Sequence, residues 1–176
     1  MKVFFISTRQ PYQTYRECPH VSSMKALGIN VYPFEYYLRF PKLNTLQINR
    51  ALYKEVLEFK PDVILMFKSP HINHNVLRML KKKLKDTVLV YWYGDIRDTV
   101  FGEIEERKDI IDILLVQQDK EEAGGFYYSR GIEIPMIESW YIGVDPSVHK
   151  YYKPEEKCDL IFCGNNFTLE TSRNPK

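Results

Sequence analysis

At 176 residues, 44% of them hydrophobic and 27% charged, the chain is long enough for one core domain and a short extension, with the balance of a soluble globular protein. A formal net charge of +2 is far from the basic footprint of a nucleic-acid binder, so nucleic acid is not expected as a partner. No run of about 18 apolar residues occurs, no signal peptide is predicted, and Cys18, Cys158 and Cys163 show neither an even count nor metal-ligand spacing, which predicts a reduced, cytoplasmic setting.

Residues 2–7, KVFFIS, predict a first strand covered on both faces. A polar, aromatic loop leads to a helix ending near Leu27. Gly28 suits its C-cap, and INVYPFEY predicts the second strand of a βαβ unit. Residues 8–20 hold no glycine, which argues against a dinucleotide-binding turn and against a P-loop. Residues 44–59 repeat Ile48, Leu52, Val56 and Phe59 at helical spacing behind an Asn44/Gln47 capping box. Lys60-Pro61-Asp62 closes that helix and opens a third strand, DVILMF, which runs out into Lys68-Ser69-Pro70-His71.

A helix over about 73–85 follows, with Leu77, Leu80 and Leu84 inward and Arg78, Lys81, Lys82, Lys83 and Lys85 over the rest. That basic face reads as a solvated surface; the alternative is attraction to a membrane surface or a polyanionic acceptor. The fourth strand, about 87–93, ends in Gly94, Asp95, Arg97 and Asp98. A short helix in FGEIEERKD, a fifth strand IDILLVQ, a helix from Asp119 to about Arg130 and a Pro-interrupted sixth strand IEIPMIES complete the series. Gly124-Gly125 weakens that last helix by about 1 kcal/mol per glycine relative to alanine. About six strands alternating with helices predict an α/β, Rossmann-like, doubly wound and mostly parallel sheet over 1–141. Residues 142–157 read as a linker. CDLIFCGNN within 158–176 reads as the first strand of a second domain that the chain does not complete, or as an edge strand docked on the first.

In such a sheet ligands bind beyond the carboxyl ends of the strands. Those ends carry Ser7, Thr8 and Arg9; Glu35; Lys68 and Ser69; Tyr93, Gly94, Asp95 and Asp98; Gln117 and Gln118; and Ser139, Trp140 and Tyr141. Hydroxyls, amides, charges and aromatics together suit a polyhydroxylated ligand, because aromatics stack on sugar faces while polar groups bond the hydroxyls. Asp95 is the first candidate for a general base, with a turn cap as its structural alternative; Asp98 is a cleft residue or the partner of Arg97. His20 is a second candidate base, or an ordinary loop histidine. His71 and His74 lie close together but lack a completing ligand set, so no metal is expected. Cys18 has no evident ordered histidine partner, which argues against a cysteine nucleophile.

KPDVILMFKS, VYWYGDIRD, WYIGVDPSVHKYY and CDLIFCGNN, in that order, resemble the amino-terminal half of GT-B glycosyltransferases, above all the spore-maturation (CgeB-like) branch and the group 1 (GT4-like) enzymes. The resemblance covers residues 60–166 well and the first 59 only as a βαβ pattern. It implies an acceptor-side domain facing a second Rossmann-like domain or subunit that holds a nucleotide-diphosphate sugar, with no cofactor beyond that donor substrate. Tyr93 and Asp95 would face the cleft, Gly143, Val144, Asp145 and Pro146 would cross between domains, and Gly164, Asn165 and Arg173 would belong to the donor side. The acceptor would be a glycan, protein or small molecule. The alternative is a non-catalytic Rossmann-like module that binds glycan or nucleotide or assembles with a partner; a small-molecule enzyme of flavodoxin-like shape ranks below both.

Overall fold

A computed structural model describes residues 1–7, 17–94, 100 and 102–140, all of them within one unit, Met1–Asp145. In chain order the elements are β1 (Lys2–Ser7), α1 (Pro19–Ala26), β2 (Asn30–Glu35), α2 (Tyr36–Arg39), α3 (Thr45–Phe59), β3 (Val63–Phe67), α4 (His74–Lys83), β4 (Val88–Tyr93), α5 (Gly102–Arg107), β5 (Ile113–Val116), α6 (Lys120–Tyr128) and β6 (Met136–Ser139). The six strands form one all-parallel sheet in the order β2-β1-β3-β4-β5-β6. This is the predicted Rossmann-like, doubly wound α/β fold.

The strand order explains which face each helix covers. β1 to β2 steps one way along the sheet, and every later step runs the other way. Right-handed crossovers therefore put α1 on one face and α3 to α6 on the opposite face. The buried residues divide accordingly. Phe4, Ile6, Ile64, Met66, Leu89, Tyr91 and Leu114 pack against Ile48, Leu52, Val56, Leu77, Leu80 and Tyr127 of the helices. Alternate residues of the same strands, Val3, Phe5, Leu65, Phe67 and Val90, turn to the other face and meet Cys18, Val21, Met24 and Trp140. The period-two alternation within each strand feeds both cores, which is why the strands read as unbroken apolar runs. Burying a side chain such as Leu52 contributes about 1.5–3 kcal/mol over leaving it exposed.

Local signals set the boundaries. Asn44 accepts the Gln47 N–H at 3.0 Å, and Asp119 accepts the N–H groups of Glu121 and Glu122 at 2.9 and 3.2 Å. Gly28 (φ 75°) and Gly131 (φ 70°) take the left-handed region just beyond α1 and α6, which a side chain would disfavour. Three features differ from expectation. INVYPFEY pairs only as far as Glu35, and Tyr36, fully buried, starts the short helix α2 instead. Pairing in β6 begins after Pro135, consistent with proline's missing N–H. Of the basic helix, Arg78 pairs with Asp109 and Lys81 with Asp112, so two of its five cations are tied to the α5–β5 connection. The linker 142–157 and the strand expected in 158–176 lie outside the described residues.

Candidate functional site

The parallel register brings the carboxyl ends of the strands into line. Ser7 stands opposite Glu35, Phe67 opposite Trp92, Tyr93 opposite Val116, and Val116 opposite Ser139. The strand order reverses between β1 and β3, the point at which open α/β sheets form their ligand crevice. Ser7, Glu35, Lys68, Tyr93, Gly94 and Ser139 are all placed along this rim. Thr8, Arg9, Asp95, Asp98, Tyr141, Gly164, Asn165 and Arg173 lie outside the described residues.

On the α1 face the crevice has an aromatic floor. Phe67 is edge-on to Phe5 at 5.0 Å and to Trp140 at 5.7 Å between ring centroids, and tilted against Trp92 at 4.6 Å. His20 sits on this floor, with its ring edge-on to Phe67 at 4.9 Å and within 6.3 Å of Trp140. One edge of the imidazole is exposed while its body packs on the aromatics, and the loss of solvent holds its pKa below the ordinary 6.5. The ring is therefore largely unprotonated near neutrality and able to accept a proton. Its Nδ1 lies 3.7 Å from the Cys18 sulfur. This corrects the expectation that Cys18 lacks a histidine partner; the i, i+2 spacing across Pro19 brings the two together at the start of α1. Gly94 has its own physical reason: a Cβ there would collide with the Trp92 indole lying across it.

Across the sheet from the floor, on the α3–α6 face, lies a buried polar cluster that sequence reasoning missed. Arg107, 1% exposed, donates to Glu103 Oε2 and to the carbonyls of Ser69 and Ile72 at 3.1 and 2.7 Å. Tyr91 Oη donates to the same Glu103 oxygen at 2.8 Å. Burial, then the Glu103 charge, pushes the Tyr91 phenol well above its usual pKa, so it remains a donor. The other Glu103 oxygen and Arg107 Nε are buried without a hydrogen-bond partner. Asn49 adds a second clasp: its side-chain N–H groups reach the Thr45 and His71 carbonyls at 2.7 and 2.8 Å, and its oxygen accepts the Asn73 N–H at 2.7 Å. Arg107 and Asn49 together fix the turn after β3, which carries Lys68, Ser69 and His71.

That turn distributes its residues unevenly. Ser69 is fully buried and donates to the Phe67 carbonyl at 2.5 Å, so its hydroxyl is used within the fold. Lys68 lies over the Tyr93 ring, 5.4 Å from its centroid, and remains at the rim. His71 packs edge-on to Tyr36 and Tyr37 at 5.9 and 5.6 Å, whereas His74 pairs with Glu106 at 3.4 Å. Among the described residues no three histidine, cysteine or carboxylate side chains group closely enough to hold a metal ion. No described helix is long and apolar enough to cross a membrane.

No family model matches the chain, and no curated protein matches it.

Proposed function

We propose that the chain is the acceptor-side half of a GT-B-like glycosyltransferase, moving a sugar from a nucleotide-diphosphate sugar to a hydroxylated acceptor. The observation that carries this reading is the largely neutral His20 seated on the Phe67–Trp92–Trp140 floor at the point where the strand order reverses. The half-buried Trp92 and Trp140 rings offer surface to a pyranose, with Phe67 buried beneath them, and Lys68 at the rim offers a cation to its hydroxyls or to the departing diphosphate. His20 takes the proton of the attacking hydroxyl. The acceptor oxygen then bonds to the anomeric carbon as the bond to the diphosphate breaks and its electron pair leaves with the nucleotide. Asp95, by resemblance to the GT-B cleft turn, is the other candidate for this base.

The donor would sit on a second Rossmann-like domain, to which Gly164, Asn165 and Arg173 would belong. The setting proposed is cytoplasmic, where nucleotide sugars are the natural donors. A non-catalytic glycan-binding module draws on the same floor; the partly exposed imidazole packed on it is the feature that favours the enzyme. Calorimetry on this chain tests the division of labour. UDP- and GDP-sugars should give no measurable heat, while short oligosaccharides bind weakly; tight donor binding by this chain alone would overturn the reading.

A further inference from the structure

Glu103 Oε1, Arg107 Nε and Tyr36 Oη are buried and make no hydrogen bond to another described residue. Buried polar atoms are normally paired, because leaving one unmade forfeits its hydration without return. Arg107 is 1% exposed and Tyr36 fully buried, so bulk solvent serves neither. The three belong to one cluster. Arg107 Nη1 donates to Glu103 Oε2, which sets the second carboxylate oxygen and the guanidinium Nε beside the same contact. Arg107 Nη2 holds the Ser69 and Ile72 carbonyls in the turn after β3. Tyr36 opens α2, and burial, then Tyr37, then the Glu103 charge hold its phenol well above the usual pKa. Its hydroxyl therefore keeps its proton and is a donor.

We propose that Glu103, Arg107 and Tyr36 form the binding site of one internal water molecule. The donors and acceptors match it. Arg107 Nε and the Tyr36 hydroxyl each bring a proton, and Glu103 Oε1 brings a lone pair. One water accepts from the two donors and donates to the carboxylate, which makes about three hydrogen bonds, the usual number for a buried water.

Charge selects water over an ion. Glu103 and Arg107 already neutralise each other, so a cation would meet the guanidinium and an anion the carboxylate. Among the described residues no three histidine, cysteine or carboxylate side chains group there to hold a metal. The water links Tyr36, just after β2, to α5, which follows β4, behind the turn that carries Lys68. The site stands on these three atoms and does not depend on sugar transfer.

The test is a crystal structure of the full chain at a resolution that places ordered waters. A density peak about 2.7–3.2 Å from Glu103 Oε1, Arg107 Nε and Tyr36 Oη is expected. No peak there, direct bonds from these atoms to other protein groups, or a peak whose distances and scattering mark a sodium or chloride ion would each overturn the proposal. In solution the Arg107 Nε–H should show an NMR cross-peak to a water held longer than the protein's tumbling time, and loss of that cross-peak in the native protein is equally fatal. Glu103→Leu/Arg107→Leu removes two of the three partners and should abolish the density, because a buried water needs at least about two; a water that persists in the folded double variant contradicts the assignment. Should that variant fail to fold, the two measurements on the native chain decide by themselves.

Discussion

Replacing Arg107 by methionine is the most informative perturbation of the region behind the crevice. The side chain is 2% exposed and its Glu103 partner 11%, so the pair is buried in the sense that matters for electrostatics. Methionine keeps much of the apolar stem but removes every donor. Glu103 then retains the Tyr91 hydroxyl, and the Ser69 and Ile72 carbonyls lose the N–H groups that satisfied them. Breaking one side of a buried pair costs about 3–5 kcal/mol, because the remaining charge is uncompensated. For a domain of this size that corresponds to a fall in melting temperature of roughly 6–20 °C. Urea unfolding followed by circular dichroism measures it, with Glu103→Gln/Arg107→Met as the companion. Removing the stranded charge should recover part of the loss, so the double variant is more stable than the two single losses added together. A single-variant cost below about 1 kcal/mol, or strict additivity, would refute the argument that this pair holds the β3–α4 turn.

Two further expectations concern protons. Burial alone would raise the Glu55 carboxyl, but two hydrogen bonds from Arg39 at 2.5 and 2.7 Å, with its charge, hold it below the usual carboxylate value. Because the folded value is the lower one, this contribution is present above the unfolded pKa and lost as pH falls through the folded one. The stability gap between the parent and Glu55→Gln, read by urea unfolding, should therefore close in acid; a gap unchanged down to pH 2 would contradict it. For His20 the folded pKa is also lowered, here by burial of a base, so the unfolded chain takes up the proton first and stability falls as pH drops through about 6.5 towards the folded value. Ring-proton NMR should place the His20 midpoint below 6.5, and a midpoint at or above that value would remove it as a neutral base.

The layers of the fold were legible because their signals are periodic. The Ile48–Leu52–Val56 stripe marks α3, and the unbroken runs in β1, β3 and β4 mark strands with helices or packed side chains on both sides. The βαβ pattern and right-handed crossovers then lead to a parallel sheet and to the crevice at strand carboxyl ends. What escaped has no period. Glu103 and Arg107 lie four apart in a charged stretch, and by sequence that spacing is indistinguishable from a solvated helix face; only the packing of α5 over Tyr91 buries it. Tyr36 sits where a strand's alternation simply continues, and its burial, not a local signal, turns the chain into α2. The Cys18–His20 contact depends on the conformation at Pro19, which residue spacing does not specify. Lys68 and Ser69 are neighbours in sequence, yet one stands at the rim and the other is sealed in, because β3 ends at Phe67 and the turn that follows is held by the Arg107 and Asn49 hydrogen bonds.

The central claim is that the Phe67–Trp92–Trp140 floor receives a sugar. The chain has two tryptophans, Trp92 and Trp140, and both belong to that floor, so tryptophan emission reports on it without a label. Titration with a panel of short oligosaccharides should give a saturable change in intensity or wavelength for at least one of them, and Trp92→Phe and Trp140→Phe should each remove part of that change while the other indole still responds. Flat emission across the panel in the folded protein, or a response that persists in the double Trp92→Phe/Trp140→Phe variant followed by calorimetry with unaltered affinity, would place the sugar elsewhere and contradict the account.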